Sequence, residues 1–264
     1  MPRVALLGLP YDGSSSFLRG SADAPGVIRD AFASPASNHT TQLGRDLDQH
    51  VVYDAGDLPL GAPAESREAI EQTATRLLDD GYRPLALGGD HSVTYPLLRA
   101  FRGRYPRLTL LHLDAHPDLY DEFDGDRYSH ACPFARVMEE GLVFRLVQVG
   151  IRCMTAHQRS QAARFGVEVH EMRRWQGPEQ LGLEPPIYVS FDLDGIDPGF
   201  APGVSHRESG GLTPREALAI LHALPAPIVG ADLVELNPRN DTGGITAALA
   251  GRLVKELAGR MLED

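Results

Sequence analysis

Apolar positions along the chain follow two rhythms. Near-continuous runs of Val, Leu and Ile at 3–9, 83–87, 108–113, 143–149, 187–191 and 228–234 read as strands buried on both faces. Briefer strands fit 51–53 and 167–170. Between them the apolar positions recur every three or four residues. The clearest case is 65–79, with apolar residues at 69, 70, 74, 77 and 78 and a stop at Gly81. Further helices are predicted over 25–32, where Pro25 suits the first turn, and from Ser92 to about 102. Others fall at 129–141, 155–164, 214–224 and 246–261. Residues 34–50, 54–61, 119–127 and 199–211 read as loops. Strands alternating with helices predict an α/β fold, a mainly parallel sheet covered on both faces. With no internal repeat or linker, one domain over 1–264 is expected.

Polar residues concentrate where the strands end, and ligands bind at the carboxyl ends of parallel strands. The run at 108–113 leads into Asp114, His116 and Asp118; the run at 187–191 leads into Asp192 and Asp194. In an extended chain, residues two apart share a side, so each set is expected on one face. The strand at 83–87 delivers His91 after Gly88 and Gly89, and the strand at 228–234 delivers Glu235. Asp90 reads as a loop-orienting residue, Asp197 as a turn residue, His112 as a hydrogen-bonded core residue and His206 as a surface residue first, with substrate contact the alternative. His130, placed at a helix start, is either a proton shuttle or an exposed capping residue.

Four carboxylates in one pocket repel. Two unit charges 4 Å apart cost roughly 4 kcal/mol at an effective dielectric near 20. A whole domain is stable by only about 5–15 kcal/mol. Two divalent cations cancel the charge of Asp114, Asp118, Asp192 and Asp194, and His91 and His116 complete a mixed oxygen and nitrogen donor set. That set suits Mn²⁺ or a similar borderline metal, and the lack of cysteine disfavours structural zinc. Such a pair activates water, which points to hydrolysis of an unreactive, resonance-stabilised centre. From spacing alone, phosphoester, peptide and guanidinium substrates remain alternatives.

The net charge of −11 and pI near 5.3 argue against nucleic acid or an anionic membrane as partner, and are compatible with a small cationic substrate. Two cysteines imply no disulfide framework, so a reducing cytoplasm is expected. No apolar run approaches the roughly 18–20 residues of a membrane span.

Three segments together resemble the signatures of the ureohydrolases, the family of arginase, agmatinase and formimidoylglutamase. They are Gly88-Gly89-Asp90-His91-Ser92, Asp114-Ala115-His116-Pro117-Asp118, and Ser190-Phe191-Asp192-Leu193-Asp194-Gly195-Ile196-Asp197-Pro198. Arg127-Tyr128-Ser129-His130-Ala131 and Ala201-Pro202-Gly203-Val204-Ser205-His206 look most like the plant-type arginases and their bacterial relatives. The resemblance implies a three-layer α/β/α fold with an eight-stranded, mainly parallel sheet, and two Mn²⁺ ions. One ion would be held by His91, Asp114, Asp118 and Asp192, the other by Asp114, His116, Asp192 and Asp194. It implies that Glu235 pairs with a guanidinium, that His130 relays protons, and that the chain forms a homo-oligomer, commonly a trimer or hexamer. Tyr120 stands where animal-type arginases carry an Asn that reads the substrate's carboxylate, as it does in agmatinases. Val204-Ser205-His206-Arg207 replaces a common Thr-Gly-Thr-Pro segment. L-Arginine is the expected substrate, with agmatine the first alternative and formimidoylglutamate or another guanidino acid next. A silent metal-binding scaffold is the non-enzyme reading.

Overall fold

The computed structural model describes residues 2–47 and 52–264. Its strands are β1 (Arg3–Leu9), β2 (Val52–Asp57), β3 (Tyr82–Gly88), β4 (Thr109–Leu113), β5 (Arg145–Ile151), β6 (Glu168–Glu171), β7 (Ile187–Asp192) and β8 (Ile228–Val234). They pair in the order β2-β1-β3-β8-β7-β4-β5-β6, every pair parallel. The helices are α1 (Ala24–Phe32), α2 (Pro63–Asp79), α3 (Thr94–Arg99), α4 (Pro133–Glu139), α5 (Ala156–Phe165), α6 (Pro214–Ala223) and α7 (Ile245–Met261).

The period-2 alternation of β1 divides the core into two. Val4 and Leu6 pack with α1, α6 and α7, whereas Ala5, Leu7 and Leu9 pack with α2, α3 and α4. Helices therefore lie on both faces, the three-layer arrangement expected. Central strands such as β4 and β8 are buried at every residue, which explains their unbroken apolar sequence.

Several boundaries differ from expectation. β2 runs through Asp57 into the segment read as a loop; as an edge strand with exposed residues it lacks an apolar signature, and Val51 lies outside the described residues. α3 ends at Arg99, not near 102. α4 begins at Pro133, not at 129, because residues 129–132 turn back across the site before the helix can start. β5 begins at Arg145 rather than 143 and continues to Ile151.

The carboxyl ends of β3, β8, β7 and β4 are neighbours in the sheet, and all the candidate residues follow these strands. Close backbone packing makes this possible. A Cβ on Gly89 would lie 1.8 Å from the Tyr11 carbonyl oxygen, which accepts from the Asp90 N–H at 2.8 Å. Gly89→Ala is expected to destabilise the fold by about 1–3 kcal/mol through overpacking, read as a lowered midpoint in urea unfolding.

Candidate metal centre and its cavity

The expected residues converge, but by turns rather than by strand alternation. β4 ends at Leu113 and β7 ends at Asp192, so Asp114–Asp118 and Asp194 lie beyond regular extended chain. Asp114 Oδ1 accepts from the His116 N–H at 2.6 Å, and Asp192 Oδ1 accepts from the Asp194 N–H at 2.7 Å. Asp194 Oδ1 accepts in turn from the Ala115 N–H at 3.1 Å, tying the two loops together. Asp118 is left-handed, with φ 48°, which carries its carboxylate back towards Asp114.

At the centre lies His91, 1% exposed. Its Nδ1 stands 3.2 Å from Asp114 Oδ2, 3.2 Å from Asp118 Oδ2 and 3.1 Å from Asp192 Oδ2. It nevertheless makes no aligned hydrogen bond. Its Nε2 lies 2.9 Å from Ser190 Oγ, which donates to Asp232 Oδ1 at 2.7 Å, so Nε2–H is the donor and the Nδ1 lone pair faces the carboxylates. A lone pair ringed by three anionic oxygens demands a cation at that point. The electrostatics show the same need in another form. Burial pulls His91 down, yet the Asp114, Asp118 and Asp192 carboxylates outweigh it and hold the imidazole well above its usual range, so a proton takes the cation's place at Nδ1 when no metal is bound. The second group is similar: His116 Nδ1 lies 3.1 Å from Asp194 Oδ2 and 3.4 Å from Asp114 Oδ1. Burial and the charges of Asp194 and Asp114 push Asp192 well up; burial and Asp114 push Asp194 up to about 6. The residues fit divalent cations: buried, hard carboxylate oxygens with two imidazoles and, among the described residues, no arginine or lysine side chain paired with them.

Behind this centre is a layer that sequence reasoning missed. Asp232, fully buried on β8, accepts from Ser190 and from the Tyr188 hydroxyl at 2.7 Å. A lone Asp in the apolar run of β8 was the available signal, and Ser190 and Asp232 are register partners. His112 fulfils its core reading. Burial lowers it, Nε2 donates to Asp114 Oδ2 at 2.8 Å, and Nδ1 accepts from the Gln148 amide at 3.0 Å. Gln148 also donates to the Pro117 carbonyl at 2.7 Å, steadying the turn between His116 and Asp118. Such partners orient metal-binding imidazoles and carboxylates. Ser190→Ala is therefore expected to weaken metal binding about 10–100-fold, measured by metal titration of the purified protein.

The carboxylates open on a cavity of about 390 Å³ lined by Ser16, Tyr120, His130, His206, Glu235 and the start of α5, among others. A larger groove of about 690 Å³ between α2 and α3 contains none of the clustered acids. Glu235, 4% exposed and left-handed at φ 64°, accepts from the His91 N–H at 2.9 Å and from His130 Nδ1 at 2.9 Å. The Ser16 N–H donates to His130 Nε2 at 3.2 Å, and Ser16 Oγ lies 2.9 Å from the same atom. Two tendencies conflict here. Burial lowers His130, but Glu235 outweighs it and lifts the imidazole to about 9, whereas the Ser16 amide needs an unprotonated Nε2. The amide has only one role, so the bonding pattern assigns Nε2 as acceptor and Nδ1–H as donor. His130 is thus a buried residue of the cavity, not an exposed helix cap. His206 is likewise corrected: it lies in the cavity wall, its ring 5.2 Å from that of His130. Tyr120 lines the cavity and stacks on His157 at 5.6 Å. Asp90 accepts from Ser14 and Ser92 N–H groups and Asp197 from Gly199 and Gly210, so both serve their loops.

A buried donor set of this kind at the carboxyl ends of a parallel sheet defines a metal-dependent hydrolase. Residues 2–259 match the model of the arginase family, and the chain belongs to that family, whose members hydrolyse carbon–nitrogen bonds of guanidino compounds. It is 46% identical to the mitochondrial arginase 1 of Arabidopsis thaliana, over 98% of this chain and 81% of that protein. It is 33% identical to an agmatinase of Bacillus anthracis, over 96% and 90%. The solved arginase of Medicago truncatula superposes with a TM-score of 0.93 at 45% identity, covering 98% of this chain and 87% of that one. Among the described residues no helix is long and apolar enough to cross a membrane.

Proposed function

We propose that the chain hydrolyses L-arginine to urea and ornithine with a pair of Mn²⁺ ions. The observation that carries the reading is a buried carboxylate, Glu235, bonded to the His91 backbone beside the acidic cluster, at the floor of a cavity sized for a small molecule. Arginine is preferred to agmatine because similarity to plant arginases, at 46%, exceeds that to agmatinases, at 33%. His91, Asp114, Asp118 and Asp192 would hold one ion, and Asp114, His116, Asp192 and Asp194 the other. The ions, when bound, supply Lewis acidity and lower the pKa of water at the site.

The chain's own residues do the rest. Glu235 accepts two N–H groups of the planar guanidinium and fixes its carbon over the acidic cluster. To do so it exchanges its bond from His130 for bonds from substrate. The freed His130 Nδ1–H faces the reacting centre, and Nε2 stays on Ser16. Water oxygen adds to the guanidinium carbon, the bond from that carbon to the chain nitrogen breaks, and the two water protons end on the departing amine, which leaves as an ammonium beside urea. His130, protonated when it acts with Nε2–H on Ser16 Oγ, passes one of them from Nδ1 and is recharged by a proton the water gives up. Tyr120 and the start of α5 border the remainder of the substrate. The two free cysteines fit a reducing compartment, and we read the cytoplasm; a trimer or hexamer is carried over from the resemblance.

The test is a substrate panel on Mn²⁺-loaded protein. Urea from arginine in excess over agmatine, guanidinobutyrate and guanidinopropionate is expected. Urea mainly from agmatine would change the substrate, formamide from formimidoylglutamate would select that reaction, and no turnover with two metals bound would select the silent scaffold.

A further inference from the structure

Beside the acidic cluster, a different donor set gathers at the rim of the cavity. Cys153, Glu208 and His116 each present one donor atom, and the three atoms lie within 4.8 Å of one another. All three residues are partly exposed, so an ion can reach them from solvent. The chain segments that bear them are pinned. The Cys153 N–H donates to the Ala115 carbonyl at 3.1 Å, and the Arg152 N–H donates to the same oxygen at 2.9 Å. The Arg152 side chain donates to the Glu208 carbonyl from Nε at 3.0 Å and from Nη2 at 2.7 Å, fixing Glu208 against Cys153. His116 is held by its own N–H on Asp114. Preorganised donors lose little freedom on binding an ion. The other cysteine offers nothing comparable: Cys132 is buried, with its thiol on the Asp126 carbonyl.

We infer that Cys153, Glu208 and His116 form a second, softer cation site at the cavity rim, which takes a thiophilic divalent ion such as Zn²⁺ or Cd²⁺. Sulfur, imidazole and one carboxylate, with an open fourth position, are donors that Zn²⁺ and Cd²⁺ favour and Mn²⁺ does not. The sulfur–metal bond forms as the thiol proton leaves to solvent. Cys153 and His116 both line the cavity, so the bound ion stands in the path of substrate and draws on a donor of the proposed manganese centre. It therefore inhibits. That consequence rests on the proposed function; the binding itself does not.

The experiment adds Cd²⁺ to the full-length, Mn²⁺-loaded protein. It reads the ultraviolet sulfur-to-cadmium charge-transfer absorption, the manganese and cadmium retained per chain after desalting, and urea formation relative to the same protein without cadmium. One cadmium per chain is expected, with the absorption present and at least one manganese per chain retained, since His116 is the only donor the two sites share. Cys153→Ser should abolish the absorption, Cys132→Ala should keep it, and Glu208→Gln should weaken cadmium binding about 10–100-fold. An absorption that is missing in the unsubstituted protein, that survives Cys153→Ser, or that is unchanged in affinity by Glu208→Gln would overturn the site. So would cadmium that merely replaces manganese without a sulfur signal. Should urea formation prove absent altogether, the function fails while the absorption still decides the site.

Discussion

Glu235→Gln is expected to lower kcat/KM for arginine by about two to three orders of magnitude while bound manganese stays unchanged, the scale of losing one aligned charge-stabilising group. The amide keeps the shape of the side chain and an oxygen for the His91 N–H, 2.9 Å away. It loses the negative charge. Glu235 is 4% exposed, so little water reaches it to substitute for that charge. A guanidinium entering such a site without a counter-charge stands unpaired in a buried position, at a cost of about 3–5 kcal/mol. The check is steady-state urea formation beside metal analysis. Near-normal turnover with metal retained would remove Glu235 from the reaction.

Asp192→Asn is expected to split stability from function. Asp192 is one of three carboxylates around His91 Nδ1, and burial with Asp194 and Asp114 pushes it well up. In metal-free protein Asn neither carries that charge nor has to take up a proton to cancel it, so Tm measured in chelator at neutral pH should rise. The same change removes a donor proposed to bridge both ions, so the gain in Tm on adding Mn²⁺ should largely vanish. For a free metal concentration 100–1,000 times Kd that gain is about 2.7–4.1 kcal/mol, or roughly 5–16 °C for a chain of this size. Activity should be lost with it. A metal-induced gain in Tm equal to that of the unsubstituted chain would show that Asp192 holds no metal. The pair of scans, with and without metal, thus reads the carboxylate's two opposed effects separately.

The sheet was legible because six of its strands are buried on both faces and so carry unbroken apolar sequence. β2 carries no strand signal beyond Tyr53, because it is an edge strand on which Asp54 and Asp57 are exposed and burial writes no pattern. α4 begins later than its sequence suggests because His130 and Ser129 are bound into the cavity region rather than wound into a helix. The donors of the centre were legible because carboxylates and imidazoles at strand ends have few other reasons to cluster. Their convergence was expected for the wrong geometric reason: turns at Asp118 and Asp194, not strand alternation, bring them together. Ser190, Gln148 and Ser16 escaped notice because a single hydroxyl or amide carries no spacing signature; their roles exist only in three dimensions. His206 reads as surface because its loop is rich in Gly and Pro, yet it lines the cavity.

The two left-handed acids of the site, distinct from Asp124 in the outer loop, bear on how this chain tolerates change. Asp118 and Glu235 hold a backbone shape that glycine adopts freely and that other residues adopt at about 1–2 kcal/mol. Glycine at Asp118 would relieve that backbone cost and erase a carboxylate, whereas at Glu235 the relief is offset by stranding the His91 N–H and His130. Selection for heat tolerance alone would accordingly favour hardier, inert descendants altered at Asp118, and only a screen that also demands turnover would keep that acid in place.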